Sequence, residues 1–139
     1  MIVTDTGPLV AAAVRDDAHH HACVELFARL RSTRRPVLVP APVITEAGYL
    51  MNRLGGPDVE AAFLQTLGEG TLTPVDLLPQ DYLRAADLIR SYRDLRIGTV
   101  DASVVAVAER LHATEIATID HRHFRAIRPA HVPAFTLLP

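Results

Sequence analysis

The stretch "RIGTVDASVVAVAERL", residues 96–111, decides how the rest of the chain is read. From Val100 to Leu111 the spacing predicts a helix that is apolar almost all the way round. Val100, Ala102, Val104, Val105, Ala106, Val107, Ala108 and Leu111 leave little polar face. Such a helix belongs in an interior. It nevertheless carries Asp101 in its first turn. An unpaired buried carboxylate is costly. Two readings stand. Asp101 is a plain N-terminal cap at the surface, or it is a buried acid kept ionised by the helix N-terminus because a ligand needs its charge.

Outward from this helix, short apolar runs alternate with helical patterns. "MIVTD" (1–5) reads as a strand, followed by Gly7, Pro8 and a short helix over "LVAAAV" (9–14). The next helix spans 16–32, with Asp16 and Asp17 near its start and Arg29 and Arg31 in its last turn, each matching the helix dipole. "RPVLVP" (35–40) is a second strand. A helix opens near Pro42 and stops at Gly55 and Gly56. Another follows over 57–70. "LTPVD" (72–76) is a third strand, weakened by Pro74. An amphipathic helix covers 79–95 and precedes the helix at Val100. "EIATID" (115–120) is a fourth strand and "AFTLLP" (134–139) a fifth at the edge. Strands alternating with helices predict an α/β fold, with a mainly parallel sheet covered on its faces.

Composition bounds the function. The 139 residues suit a single domain, and a hydrophobic content of 49% supplies a core. No apolar run has the length of a membrane span. The N-terminus has no basic region ahead of its apolar stretch, unlike a secretory signal. Cys23 stands alone, so no internal disulfide or cysteine zinc cluster can form. A cytoplasmic protein with no membrane partner is expected. All 14 basic residues are arginine. The absence of lysine excludes a Walker A phosphate loop and Schiff-base chemistry. The net charge is −2 and the isoelectric point about 6.4, unlike the strongly basic domains that bind nucleic acid through charge alone.

Two strands end alike, "VTD" in the first and "ATID" in the fourth. Ligands of open α/β sheets bind outside the carboxyl ends of the strands. Asp5 and Asp120 are therefore expected to face one crevice, or else to act as helix caps and turn formers. In the helix holding Val43, Ile44, Ala47, Leu50, Met51 and Leu54 on its apolar stripe, Glu46 falls roughly 40° outside that stripe. It either looks into a cleft or keeps its head in solvent. With Asp101, four acids can converge, and no lysine exists to neutralise them. A hard divalent cation such as Mg²⁺ relieves such crowding. Thr6 and Thr118 adjoin the acids and can orient them with hydroxyls. The chemistry this suggests is metal-assisted hydrolysis of a phosphodiester, with one or two metals.

These residues also carry a resemblance. "MIVTDTGPLVA", "VITEAGYLM", "YRDLRIGTVDASVVAVAERL" and "EIATIDHRHFRAIRP" together make the chain similar to PIN-domain ribonucleases, specifically the toxins of VapBC-type toxin–antitoxin pairs. The resemblance spans nearly the whole chain. It implies one three-layer α/β/α PIN domain over residues 1–139. It implies that Asp5, Glu46, Asp101 and Asp120 surround Mg²⁺ or Mn²⁺. It further implies an endoribonuclease that cuts structured RNA, such as tRNA or ribosomal RNA, and so blocks translation. A homodimer and a cognate VapB-type antitoxin, whose tail places an arginine among the acids, complete the expectation. Two divalent ions in the site would turn the net charge from −2 to about +2. Arg96, Arg122, Arg125 and Arg128 flank the acidic motifs and are candidates to hold phosphates, against the reading of ordinary surface arginines.

Other features are discounted. His19, His20 and His21 are consecutive and cannot all face one metal from a helix. His121 and His123 are candidates to touch substrate, but a structural or solvated role is the favoured reading. Cys23 packs as a small apolar residue. Tyr49, Leu50, Met51 and Phe63 are expected in the core or a dimer interface. A phosphatase that starts from a strand-end aspartate wants a second aspartate two residues on, where this chain has Gly7. A non-catalytic RNA- or partner-binding PIN domain is the remaining rival.

Overall fold

The computed structural model describes all 139 residues. In chain order the elements are β1 (Ile2–Thr4), α1 (Thr6–Ala13), α2 (His20–Ser32), β2 (Val37–Pro40), α3 (Ala41–Gly55), α4 (Pro57–Gly68) and β3 (Thr73–Val75). Then come α5 (Pro79–Ser91), α6 (Thr99–Arg110), β4 (Glu115–Ala117), α7 (His121–Ala126) and β5 (Thr136–Leu138). The sheet order is β3-β2-β1-β4-β5, and every pairing is parallel. The expected α/β class holds, and the sheet is wholly rather than mainly parallel.

Alternate residues of the strands face opposite helix layers, as the pleat requires. Val3, Leu38 and Ile116 lie in register on three adjacent strands and join Val104, Val105, Val107 and Ala108 of α6 in one core cluster. Ile2, Val37 and Ala117 instead meet Leu26 and Leu30 of α2. Helices on both faces of one sheet give three layers. Strand residues buried on both faces explain why the runs read as continuously apolar rather than alternating.

Several boundaries differ from the sequence reading, each for a local reason. α1 begins at Thr6, three residues early, because Asp5 caps it by accepting from the Thr6 amide and Pro8 needs no donor in a first turn. α2 begins at His20, not residue 16. Asp17 instead closes a turn by accepting from the His19 amide at 2.8 Å. The helix expected over 79–95 stops at Ser91, and Arg93–Leu95 form a separate 3-10 turn. α7 was not foreseen as a helix, and β4 ends at Ala117, so Asp120 lies past the strand, at the N-cap of α7.

α6 is buried as expected from Ala102 to Ala108. Its internal Ser103 is satisfied by donating to the Val100 carbonyl at 2.7 Å. Its far end is tied to α5 by charge. Arg110 donates through Nε to both oxygens of Asp81, at 3.0 Å each, and Asp81 is only 2% exposed. The same carboxylate accepts from the Leu78 amide at 2.8 Å and so caps α5. Beside this pair, Arg84 and Glu109 form two hydrogen bonds, at 2.7 and 2.9 Å. Removing one partner of a buried pair leaves an uncompensated charge. Arg110→Met is therefore expected to destabilise the fold by about 3 kcal/mol in urea unfolding, and a loss below about 1 kcal/mol would show that Asp81 is held by the α5 cap alone.

Candidate functional site

In a parallel sheet of this order, strand β1 has neighbours whose connections leave in opposite directions, and the crevice opens at the carboxyl ends between β1 and β4. Asp5 stands there. Its amide donates to the Ala117 carbonyl at 2.8 Å, so it continues the β1–β4 ladder by one step. The residue is 7% exposed. One oxygen, Oδ1, accepts from the Thr6 amide at 2.7 Å and the other, Oδ2, from the Thr118 hydroxyl at 3.0 Å. The Thr118 hydroxyl also accepts from the Asp120 amide at 3.0 Å, which links the two strand-end acids through one oxygen.

Glu46 lies on the exposed side of α3, as its place outside the apolar stripe required. The Thr6 hydroxyl holds it by donating to Oε2 at 2.6 Å. Asp101 sits in the first turn of α6, half-buried. Asp120 caps α7, accepting from the His123 amide at 3.3 Å. The cap reading of Asp5 and Asp120 is thus correct, and it coexists with their placement in one crevice.

The acids sense one another. Burial pushes the Asp5 carboxyl up from 3.8 to about 6. The Thr6 amide opposes that rise, Asp101 adds to it, the Thr118 hydroxyl opposes it, and Glu46 adds to it. Asp101 is also raised, first by burial, with His123 acting against the rise and Asp120 and Glu46 adding to it. All four sequence-expected acids therefore share one electrostatic neighbourhood.

This donor set fits a hard cation. It is made of carboxylate oxygens, and the acids disfavour each other's ionised form without a counter-charge. No group of three or more His, Cys, Asp or Glu side chains is already gathered so as to hold a metal ion. The candidate ligands are neighbours rather than a finished cage.

His123 also lies among these acids, where the sequence reading had favoured a structural or solvated role. Its Nδ1 lies 2.9 Å from Asp120 Oδ2 and 3.4 Å from Asp101 Oδ2. Residues three apart share a helix face, so Asp120 and His123 would have been paired had α7 been recognised. His121 has the expected structural role, with Nε2 at 3.2 Å from the Thr118 carbonyl.

Gly7 leaves no room for chemistry of its own. A Cβ there would lie 2.5 Å from Ile119 Cγ1, which closes the position where a phosphatase needs its second aspartate. Arg96, Arg122, Arg125 and Arg128 are all exposed and form no ion pair. Of the expected apolar packers, Met51 and Phe63 are buried and Leu50 is half-buried, but Tyr49 is 61% exposed and is not core. An apolar cavity of about 510 Å³ lies between α1, α2, α3 and α4, lined by Leu9, Phe27, Met51, Val59 and Phe63 among others. None of the four acids reaches it, so it offers no hydrolytic chemistry.

Comparison with known proteins shows the family and the fold. The PIN domain family model matches residues 2–128. The chain is 33% identical to Ribonuclease VapC26 of Mycobacterium tuberculosis over 141 residues, covering 99% of this chain and 100% of that relative. Its fold is similar to the crystal structure of Mycobacterium tuberculosis VapC20, described as a Sarcin-Ricin loop cleaving toxin. That match has a TM-score of 0.73 and 20% identity, covering 84% of this chain and 87% of that one, and it bears on the fold alone.

The raised Asp5 value has a measurable consequence. A folded-state value above the unfolded one means that the fold binds this proton more tightly than the unfolded chain does. Stability from this group is full below the unfolded value of 3.8 and is lost as pH rises through about 6. Metal-free protein in chelator is expected to melt at lower temperature at pH 7 than at pH 5, with a shallower slope in Asp5→Asn; an identical slope in that variant would assign the effect elsewhere.

Proposed function

Because the chain belongs to the PIN-domain family of VapC-type ribonucleases, we propose that it is a divalent-metal-dependent endoribonuclease toxin. Its substrate is structured RNA, tRNA or ribosomal RNA, whose cleavage inhibits translation. It acts in the cytoplasm as a homodimer and is neutralised by a VapB-type antitoxin. The observation that carries the reading is Asp5. It is a buried carboxylate at the sheet's switch point, held through both oxygens and raised by Asp101 and Glu46. A carboxylate kept at such a cost is what a cation site needs.

Asp5, Glu46, Asp101 and Asp120 would hold Mg²⁺ or Mn²⁺. When bound, such an ion supplies Lewis acidity, which makes water a better nucleophile and offsets charge on the phosphodiester. The chain's own groups do the positioning. The Thr118 hydroxyl and the Thr6 amide fix both oxygens of Asp5. The Thr6 hydroxyl draws Glu46 toward the crevice from the exposed face of α3. Arg96, Arg122, Arg125 and Arg128, free of acidic partners, would neutralise RNA phosphates around it. That VapC26 is named a ribonuclease supports RNA as the substrate class.

The test is cleavage of total bacterial RNA by purified protein with Mn²⁺, with Mg²⁺ and with chelator, beside Asp101→Asn. Discrete fragments are expected only with metal. The variant should keep its fold and lose at least about 100-fold in rate. RNA binding that needs no metal and gives no fragments would replace this reading with that of a non-catalytic binding module. A charge-reversed Arg122→Glu should weaken RNA binding at every sequence tested and lower the slope of log affinity against log salt by about 1. An unchanged slope would remove Arg122 from the interface.

A further inference from the structure

A site of four carboxylates leaves His123 unexplained. Its Nδ1 is buried but makes no hydrogen bond. Close contact without hydrogen-bond geometry describes its relation to both Asp120 Oδ2, at 2.9 Å, and Asp101 Oδ2, at 3.4 Å. Buried polar atoms are normally satisfied, and one that is not calls for an explanation. The ring is delivered to this place by the helix that bears it. Its own amide donates to Asp120 at the start of α7, and the next residue, Phe124, is 1% exposed and anchors that helix in the core. The two spacings bracket the roughly 3 Å between adjacent ligands of an octahedral ion with bonds of about 2.1 Å.

We propose that His123 Nδ1 is a ligand of the divalent ion, beside Asp101 and Asp120. In this role it turns the site's preference away from Mg²⁺ and toward Mn²⁺ and the later first-row ions. The inference rests on the carboxylate site proposed above and extends it. As a ligand the ring carries its proton on Nε2 and presents a bare Nδ1. Mg²⁺ favours oxygen donors and keeps its waters, whereas imidazole nitrogen favours transition ions. A nitrogen among the donors thus separates metals that an all-oxygen site would treat more evenly.

The experiment uses metal-stripped full-length protein titrated with MnCl₂ or MgCl₂ alone. Calorimetry reads affinity, and pulsed electron paramagnetic resonance of bound Mn²⁺ reads directly bonded ¹⁴N. Wild type should show ¹⁴N modulation. His123→Asn should lose it and bind Mn²⁺ roughly tenfold more weakly, with a change in Mg²⁺ affinity below about threefold. His123→Asp restores a charged oxygen donor, should bind both metals and should show no ¹⁴N. Circular dichroism confirms each fold, and His123→Asp alone carries the comparison should His123→Asn not fold. Saturable Mn²⁺ binding without ¹⁴N in wild type, or ¹⁴N that survives in the folded variants, would overturn the role of His123 and leave the carboxylate site standing. No saturable Mn²⁺ binding by wild type would overturn both readings.

Discussion

The structure depends on the parallel pairing of β1 with β4. Val3 lies opposite Ile116 and Thr4 opposite Ala117, and the Asp5 amide adds one further bond to the Ala117 carbonyl. This pairing brings the residues after two distant strands to the same edge of the sheet. Thr118 can then reach Asp5, and the turn that follows delivers Asp120 and α7. A slip of one residue would turn Thr118 to the opposite face, because side chains alternate along a strand. The apolar residues around it prevent that slip, since Ile116 and Ala117 are each fully buried in a different cluster.

Holding Asp5 in this place opposes folding. A rise from 3.8 to about 6 corresponds to about 3 kcal/mol against the ionised form at neutral pH. Fully buried valines contribute about 1.5–3 kcal/mol each, and α6 alone buries Val104, Val105 and Val107 completely. One helix therefore offsets the strain of the crevice into which its first turn projects Asp101. This resolves the oddity of an apolar helix that opens with an acid. The interior half of α6 is packing, and its N-terminus is the part that reaches the site.

Much of this was legible because it followed from periodicity. Short apolar strands alternating with helices gave the layers, and strand-ending aspartates gave the edge where Asp5 and Asp120 meet. Glu46 could be placed from its angle on the helix, and the Thr6–Glu46 bond shows why that angle matters. α7 was missed because its six residues are too few for a periodic signal, and the place of His123 among the acids was hidden with it. The late start of α2 was hidden because Asp16 and Asp17 suit a helix start as well as a turn. Tyr49 could not be divided between core and dimer interface from the sequence, because an aromatic on an amphipathic helix suits both; its flank of α3 faces outward, away from the core.

The distance along the chain between Asp5 and its partner Thr118 spans 113 residues. Contacts this remote form late, after most of the chain has been made and collapsed. A ribosome that has not yet synthesised β4 holds a chain with no crevice, whatever its first half has already folded. Topology thus dates the crevice: it is complete only when synthesis of that copy is nearly finished, and no truncated chain that lacks β4 can assemble it.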